Sequence, residues 1–207
     1  MKKINDLNKV LIIGIIFLSL CLIYNFVLKP VLAQTNVVVT ATVPTVVTCS
    51  FSTTTTAFGT IDANNVYTSS PNVTTTVSCN TASGCQVQVN DQGSGSQPGL
   101  WNSAASYLIP SPNFAFSATA TLVAGTEGYG IQATTTSAGS GGALSINVRY
   151  NQTGNTVGGL TTTTIVLASS SQPVANREVV VTHKAAVSVL TPAGSYQDTI
   201  TYNCVSN

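Results

Sequence analysis

The chain has 207 residues, a formal net charge of +1 and only 6% charged side chains. From residue 34 onward three cations (Arg149, Arg177, Lys184) stand against five acids (Asp62, Asp91, Glu127, Glu178, Asp198). That balance excludes nucleic acid, which needs a basic face to offset its phosphates, and an anionic membrane surface.

Lys2, Lys3 and Lys9 form a basic start, and residues 10–28 are then almost wholly apolar. Val31-Leu32-Ala33 supplies small or apolar residues where a signal peptidase acts. Residues 1–33 therefore read as a secretory signal helix, with cleavage expected after Ala33. An uncleaved membrane anchor is the competing reading, since the apolar run approaches the length of a spanning helix. Lys29-Pro30 breaks the run and favours cleavage. Leu20 before Cys21 does not fit a lipoprotein signal. The rest, residues 34–207, suits one domain, and its contact with a membrane is expected only through the signal before cleavage.

That domain is rich in Thr, Ser, Gly, Val and Ala and poor in the helix formers Glu, Lys and Arg, which predicts an all-β fold. Across residues 35–47, Val37, Val39, Ala41, Val43 and Val47 share one face and predict a strand, which Pro44 confines to a sheet edge or a kink. Residues 48–61 continue it, with Phe51, Phe58 and Ile61 as core candidates and Ala57-Phe58-Gly59 as a bend. Residues 62–72 read as loop. The alternating runs at 73–79 and 85–90 flank the turn residues 80–84, as in a hairpin or a kinked continuous strand. Residues 91–100 form a flexible loop, and residues 101–120 are irregular. Trp101, Tyr107, Phe114 and Phe116 are expected in the core, with a sugar-stacking face built on Trp101 and Tyr107 as the alternative. Ile131 and Ala133 open a strand, residues 137–142 form a Gly/Ser hinge, and Leu144, Ile146 and Val148 alternate. Residues 151–159 are loop, and short strands follow at 165–167 and 179–182.

The stretch 185–204 reads as a strand, a tight turn at Thr191-Pro192-Ala193-Gly194, and a closing strand. Tyr196, Ile200, Tyr202 and Cys204 share one face of that closing strand. Many short strands with turn signals between them predict a single Ig-like sandwich or barrel.

Four cysteines, Cys49, Cys79, Cys85 and Cys204, remain after the signal. An even number in an exported chain predicts two disulfides, and the spacing lacks the two close pairs of a zinc site. Cys79 and Cys85 flank a turn, so spacing favours Cys79 with Cys85, leaving Cys49 for Cys204.

Chemistry is sparse. His183 is the one histidine, and it has no serine elbow to serve; it reads as a solvated surface residue, with a hydrolase base assisted by Asp198 as the alternative. The five acids form no local pair for glycoside hydrolysis. Asp91-Gln92-Gly93-Ser94-Gly95 reads as a plain turn rather than a calcium loop. The Gly-rich runs lack the ending of a phosphate loop. Asn72-Val73-Thr74 and Asn151-Gln152-Thr153 match glycosylation acceptors. No catalytic residue, metal or cofactor is expected.

Cys49-Ser50-Phe51, Ala57-Phe58-Gly59-Thr60, Val77-Ser78-Cys79 and residues 192–200 together resemble the spore coat protein U type of pilin-like secreted domain. The resemblance covers the two ends of the domain. It implies a β-sandwich assembled in chaperone–usher fimbriae, with self or other surface subunits as partners and Cys49 bonded to Cys79. It also implies that Val37, Val39, Ala41 and Val43 are donated to a neighbour's sheet; the residues themselves favour the first strand of the same domain, since no linker precedes Cys49. The middle of the chain, at Gly125–Gly130, Val157–Leu160 and His183–Ala186, is similar to exported surface proteins of candidate ultrasmall bacteria. Residues 193–202 resemble the end of a wall-binding domain with Trp-x-Leu motifs, although Trp101 is followed by Asn102 and Ser103. The expectation is a non-enzymatic structural or adhesive protein of the cell surface, with a glycan-binding module as the alternative.

Overall fold

The computed structural model describes residues 2–27 and 34–207, with side chains over 6–24 and 34–207. The expected cleavage site at Ala33 lies outside the described residues. The chain divides into two units, Met1–Val43 and Pro44–Asn207. The first carries one helix, α1 (Lys2–Val27). Its segment Asp6–Tyr24 is long and apolar enough to cross a membrane, a property that a signal sequence shares.

Residues 34–46 lie outside every strand, which corrects the strand expected over 35–47. Val37, Val39 and Val43 are 84, 88 and 80% exposed, and Ala41 is exposed as well. Pro44 offers no N–H to a ladder, so pairing begins only at Val47. Just before it, Asn80 secures residues 44–46: its Oδ1 accepts the Val46 N–H at 2.8 Å and its Nδ2 donates to the Pro44 carbonyl at 2.8 Å.

The second unit is all-β, as expected, and every strand pairing is antiparallel. Its strands are β1 (Val47–Phe51), β2 (Tyr67–Thr68), β3 (Val73–Cys79), β4 (Cys85–Asp91), β5 (Gly99–Asn102), β6 (Tyr107–Pro110), β7 (Thr119–Thr121), β8 (Gly128–Thr135), β9 (Ser140–Gly141), β10 (Ser145–Ile146), β11 (Thr156–Gly158), β12 (Ile165–Ser169), β13 (Val174–Ala186) and β14 (Ile200–Ser206). One sheet runs β1-β3-β13-β8-β11-β7, with β2 and β9 also on β13; a second runs β10-β12-β4-β14; β5 and β6 form a separate hairpin.

The alternating patterns of β3, β4 and β13 drive this arrangement. Val77 from β3, Val87 and Val89 from β4, Ile131 from β8, Leu167 from β12 and Val179 and Val181 from β13 are all buried in one core between the sheets. Each such side chain stabilises by about 1.5–3 kcal/mol through its removal from water. Period-two patterning with one face inward is the signature of a two-sheet sandwich.

Neither the hairpin reading of residues 73–90 nor the strand–turn–strand unit of 185–204 forms a hairpin. β3 and β4 belong to different sheets, and so do β13 and β14. Residues 80–84 carry the chain from the first sheet to the second, and residues 187–199 make the same crossing again. The first crossing is tight: Gly84 has φ +79° and lies where a Cβ would stand 2.0 Å from the Ser170 carbonyl oxygen, so only glycine fits. In the second crossing Val189 and Leu190 are exposed, Thr191 N–H donates to the Ser188 carbonyl, and the Tyr196 hydroxyl donates back to the Pro192 carbonyl at 2.8 Å. That last bond has the form of the tyrosine corner of Greek-key sandwiches.

Cys49 is bonded to Cys204 and Cys79 to Cys85, with Cα separations of 5.9 and 6.4 Å. Both bridges join the two sheets. The Cys49–Cys79 bond implied by the fimbrial resemblance is absent because Cys49 stands opposite Val77 in the β1–β3 register, and Cys79 stands opposite Val47.

The Gly/Ser run at 137–142 is fixed in place. Arg177 donates from Nε to the Gly142 carbonyl at 3.0 Å, from Nη1 to Ala138 at 3.2 Å and from Nη2 to Gly141 at 3.0 Å. Arg177 itself follows a bulge in β13, where Asn176 takes φ +53°. Arg177→Ala is expected to lose about 1–3 kcal/mol through these charge-assisted bonds. Hydrogen exchange should quicken at residues 138–142 and leave β4 unchanged.

Candidate functional site

Alternation places three polar groups on the inner face of the sandwich. In β4, Cys85, Val87, Val89 and Asp91 point the same way and all are buried. Ile200 pairs with Asp91, so Asp198, two residues earlier on the same face, meets Asp91 diagonally. Asp91 is 1% exposed.

Each acid anchors the Gly-rich loop 92–98. Asp91 Oδ2 accepts the Gly99 N–H at 3.0 Å, and Asp198 Oδ1 accepts the Gly93 N–H at 3.2 Å. Gly93 has φ +47° and approaches the Gln97 carbonyl too closely for a Cβ. The remaining oxygens, Asp91 Oδ1 and Asp198 Oδ2, are buried and receive no N–H. The two carboxyls are in hydrogen-bonding contact. Burial first, then the bond to Asp198 and its charge, push Asp91 up to about 9. Burial also raises Asp198, while the bond from Asp91 acts in the opposite direction. Asp91 is therefore the partner that keeps a proton at neutral pH. The Tyr129 hydroxyl from β8 also lies against Asp198.

His183 is 3% exposed, which corrects its reading as a surface residue. It follows Val179 and Val181 on the inner face of β13. Its Nε2 lies 3.4 Å from the Tyr202 hydroxyl of β14, across the core, and its Nδ1 has no partner. Burial pulls it down to about 4, so it is neutral at pH 7. Its ring-nitrogen contact is with Tyr202 and not with Asp198, so the alternative acid–base pairing with Asp198 does not form either.

Glu127 is a second buried carboxylate besides Asp91, at 3% exposure. The Tyr107 hydroxyl donates to its two oxygens at 2.9 and 3.0 Å, and Thr191 Oγ1 also donates to it. Tyr107 thus anchors a loop with its polar tip. Trp101 is half-buried, and its backbone exchanges two bonds with Gln197, at 2.8 and 3.0 Å. Phe114 and Phe116 are 65 and 37% exposed, which corrects their placement in the core. Asp91 belongs to the carboxyl pair and not to an outward calcium loop.

An open apolar groove of about 360 Å³ lies at the end of the sandwich that holds Cys79, between Val46, Pro173, Val174 and Ala175. No titratable side chain lines it. Among the described residues no group of three or more His, Cys, Asp or Glu stands ready to hold a metal ion.

Asp91, Asp198 and His183 were each legible as candidates, but their partners were not. The signal was parity: Asp91 shares the register of Val87 and Val89, and His183 that of Val179 and Val181. No family model, curated protein or solved structure matches the chain.

Proposed function

We propose that residues 34–207 act as a non-enzymatic structural subunit of the cell surface, joined to neighbours by strand addition. The exposed segment that holds Val37, Val39 and Val43 carries this reading. Unpaired backbone with alternating apolar side chains is the chemistry of β-augmentation. The edges suit it too: among the described residues β1 pairs only with β3 and β14 only with β4, and neither strand holds a charge or a proline to block a further strand. The apolar N-terminal helix and two disulfides fit an exported protein.

Deleting residues 34–43 tests the reading. The exported protein without them is expected to lose its polymers, seen as detergent-resistant bands and in native mass spectrometry. Its unfolding free energy should stay within about 0.5 kcal/mol of wild type, because the segment buries little. Polymers that persist without it would defeat the proposal. Exposed Phe114 favours a second reading, a glycan-binding surface; glycan-array binding lost in Phe114→Ala would support that one instead.

A further inference from the structure

We infer that Asp91 and Asp198 form a single proton-sharing latch that holds the 92–98 loop and the segment leading into β14 against the sandwich. The inference rests on where the four carboxyl oxygens lie. Two of them, one per acid, accept N–H groups at the two ends of the same loop. The other two are buried and receive no N–H, with the Tyr129 hydroxyl lying against Asp198 beside them. One proton on Asp91 Oδ1, donated to Asp198 Oδ2, satisfies both at once. Two ionised carboxylates in contact without it would repel each other in a medium that screens poorly.

Among the described residues no cation acts on either acid. The Tyr129 hydroxyl from β8 bonds to Asp198, and the charge of the pair in turn reaches the hydroxyls of Tyr202 from β14 and Tyr150 from the turn before β11. Arg149 acts on Tyr150 and is not among the influences on either acid. The proton is therefore the element that closes the latch. The raised Asp91 value, about 9, keeps it in place through neutral pH.

The sign follows from linkage. Asp91 has a folded value above its ordinary 3.8. Its stabilising contribution is complete below about pH 4 and is lost as pH rises toward about 9. Once the proton leaves, Gly93 and Gly99 lose their anchors together.

The test uses the full-length chain in mild detergent. The unfolding equilibrium constant of wild type should rise about tenfold per pH unit between pH 6.5 and 9. Hydrogen exchange at Gly93 and Gly99 should quicken together near pH 9. Asp91→Asn replaces the shared proton with an amide N–H and keeps an oxygen for Gly99; it should abolish the slope and hold both amides protected. Asp198→Asn leaves Asp91 buried but removes the neighbouring charge, so the slope should end at a lower pH than in wild type; this variant serves if the first does not fold. A wild-type slope running unchanged to pH 9 in either variant would overturn the latch. So would calcium chloride that stabilises wild type at pH 8 but not Asp91→Asn, since the pair would then hold a cation and not a proton.

Discussion

Cys49→Ser is expected to remove about 5 kcal/mol of stability, and Cys79→Ser only about 2 kcal/mol. The asymmetry comes from chain entropy: the first bridge closes a separation of 155 residues and the second a separation of 6. The native geometry points the same way. β1 pairs with β3 alone, and its five residues are half-buried or exposed. Apart from that ladder, its main attachments are Cys204 and the contact of Phe51 with Tyr202, whose ring centroids lie 6.1 Å apart. Without the bridge, the edges of the two sheets are free to part on that side. A loss of 5 kcal/mol is comparable to the whole stability of many domains. Denaturant unfolding of each single variant gives the comparison directly, and equal losses would show that loop length is not the governing quantity here.

The all-β class was legible because valine and threonine at period two admit little else. The sheet assignment was not. Residues 73–79 and 85–90 look like the arms of a hairpin, since a short turn joins them and each arm alternates. The same features describe a crossing between layers. What separates the two cases is which partner each strand finds, and β3 finds β1 and β13 while β4 finds β12 and β14. Those partners lie far away in sequence, and no local rule names them. The segment at 35–47 failed for a related reason: alternation makes a strand available, but only a partner's N–H and C=O groups make it one.

The polar groups show the converse, a signal present and not followed. Continuing the parity of Val179 and Val181 by one step puts His183 inside, and continuing that of Val87 and Val89 puts Asp91 inside. Polar type argued for the surface, while position in the alternation argued for the core, and position prevailed. The cost of burial was then met by pairing for Glu127, which gathers two hydroxyls, and by a raised protonation range for Asp91. Phe114 and Phe116 show the same limit from the other side, since aromatic type argued for the core and an irregular loop left them exposed.

His183→Leu is expected to remove an acid-side loss of stability of about 3 kcal/mol and to turn a nearly flat pH profile below 6.5 into one that falls with rising pH. The folded imidazole is held at about 4 against an ordinary 6.5. Between those values the unfolded chain takes a proton that the folded chain refuses, so stability falls with falling pH by about 1.4 kcal/mol per unit. Asp91 acts in the opposite sense over the same interval, since its proton is bound in the folded chain and released in the unfolded one. In wild type the two slopes should nearly cancel from pH 4 to 6.5, and only the Asp91 slope should remain above 6.5. His183→Leu should therefore lose stability steadily from pH 4 to 9, whereas Asp91→Asn should gain stability from pH 4 to 6.5 and then level off. The leucine fills much of the imidazole's volume beside Ile131 and leaves the Tyr202 hydroxyl without its ring-nitrogen contact, a cost that shifts the whole curve and not its slope. Thermal unfolding of the three proteins at half-unit pH steps separates slope from offset. A His183→Leu profile parallel to wild type would mean that the imidazole takes up its proton in place, and that β13 opens at His183 more readily than its burial implies.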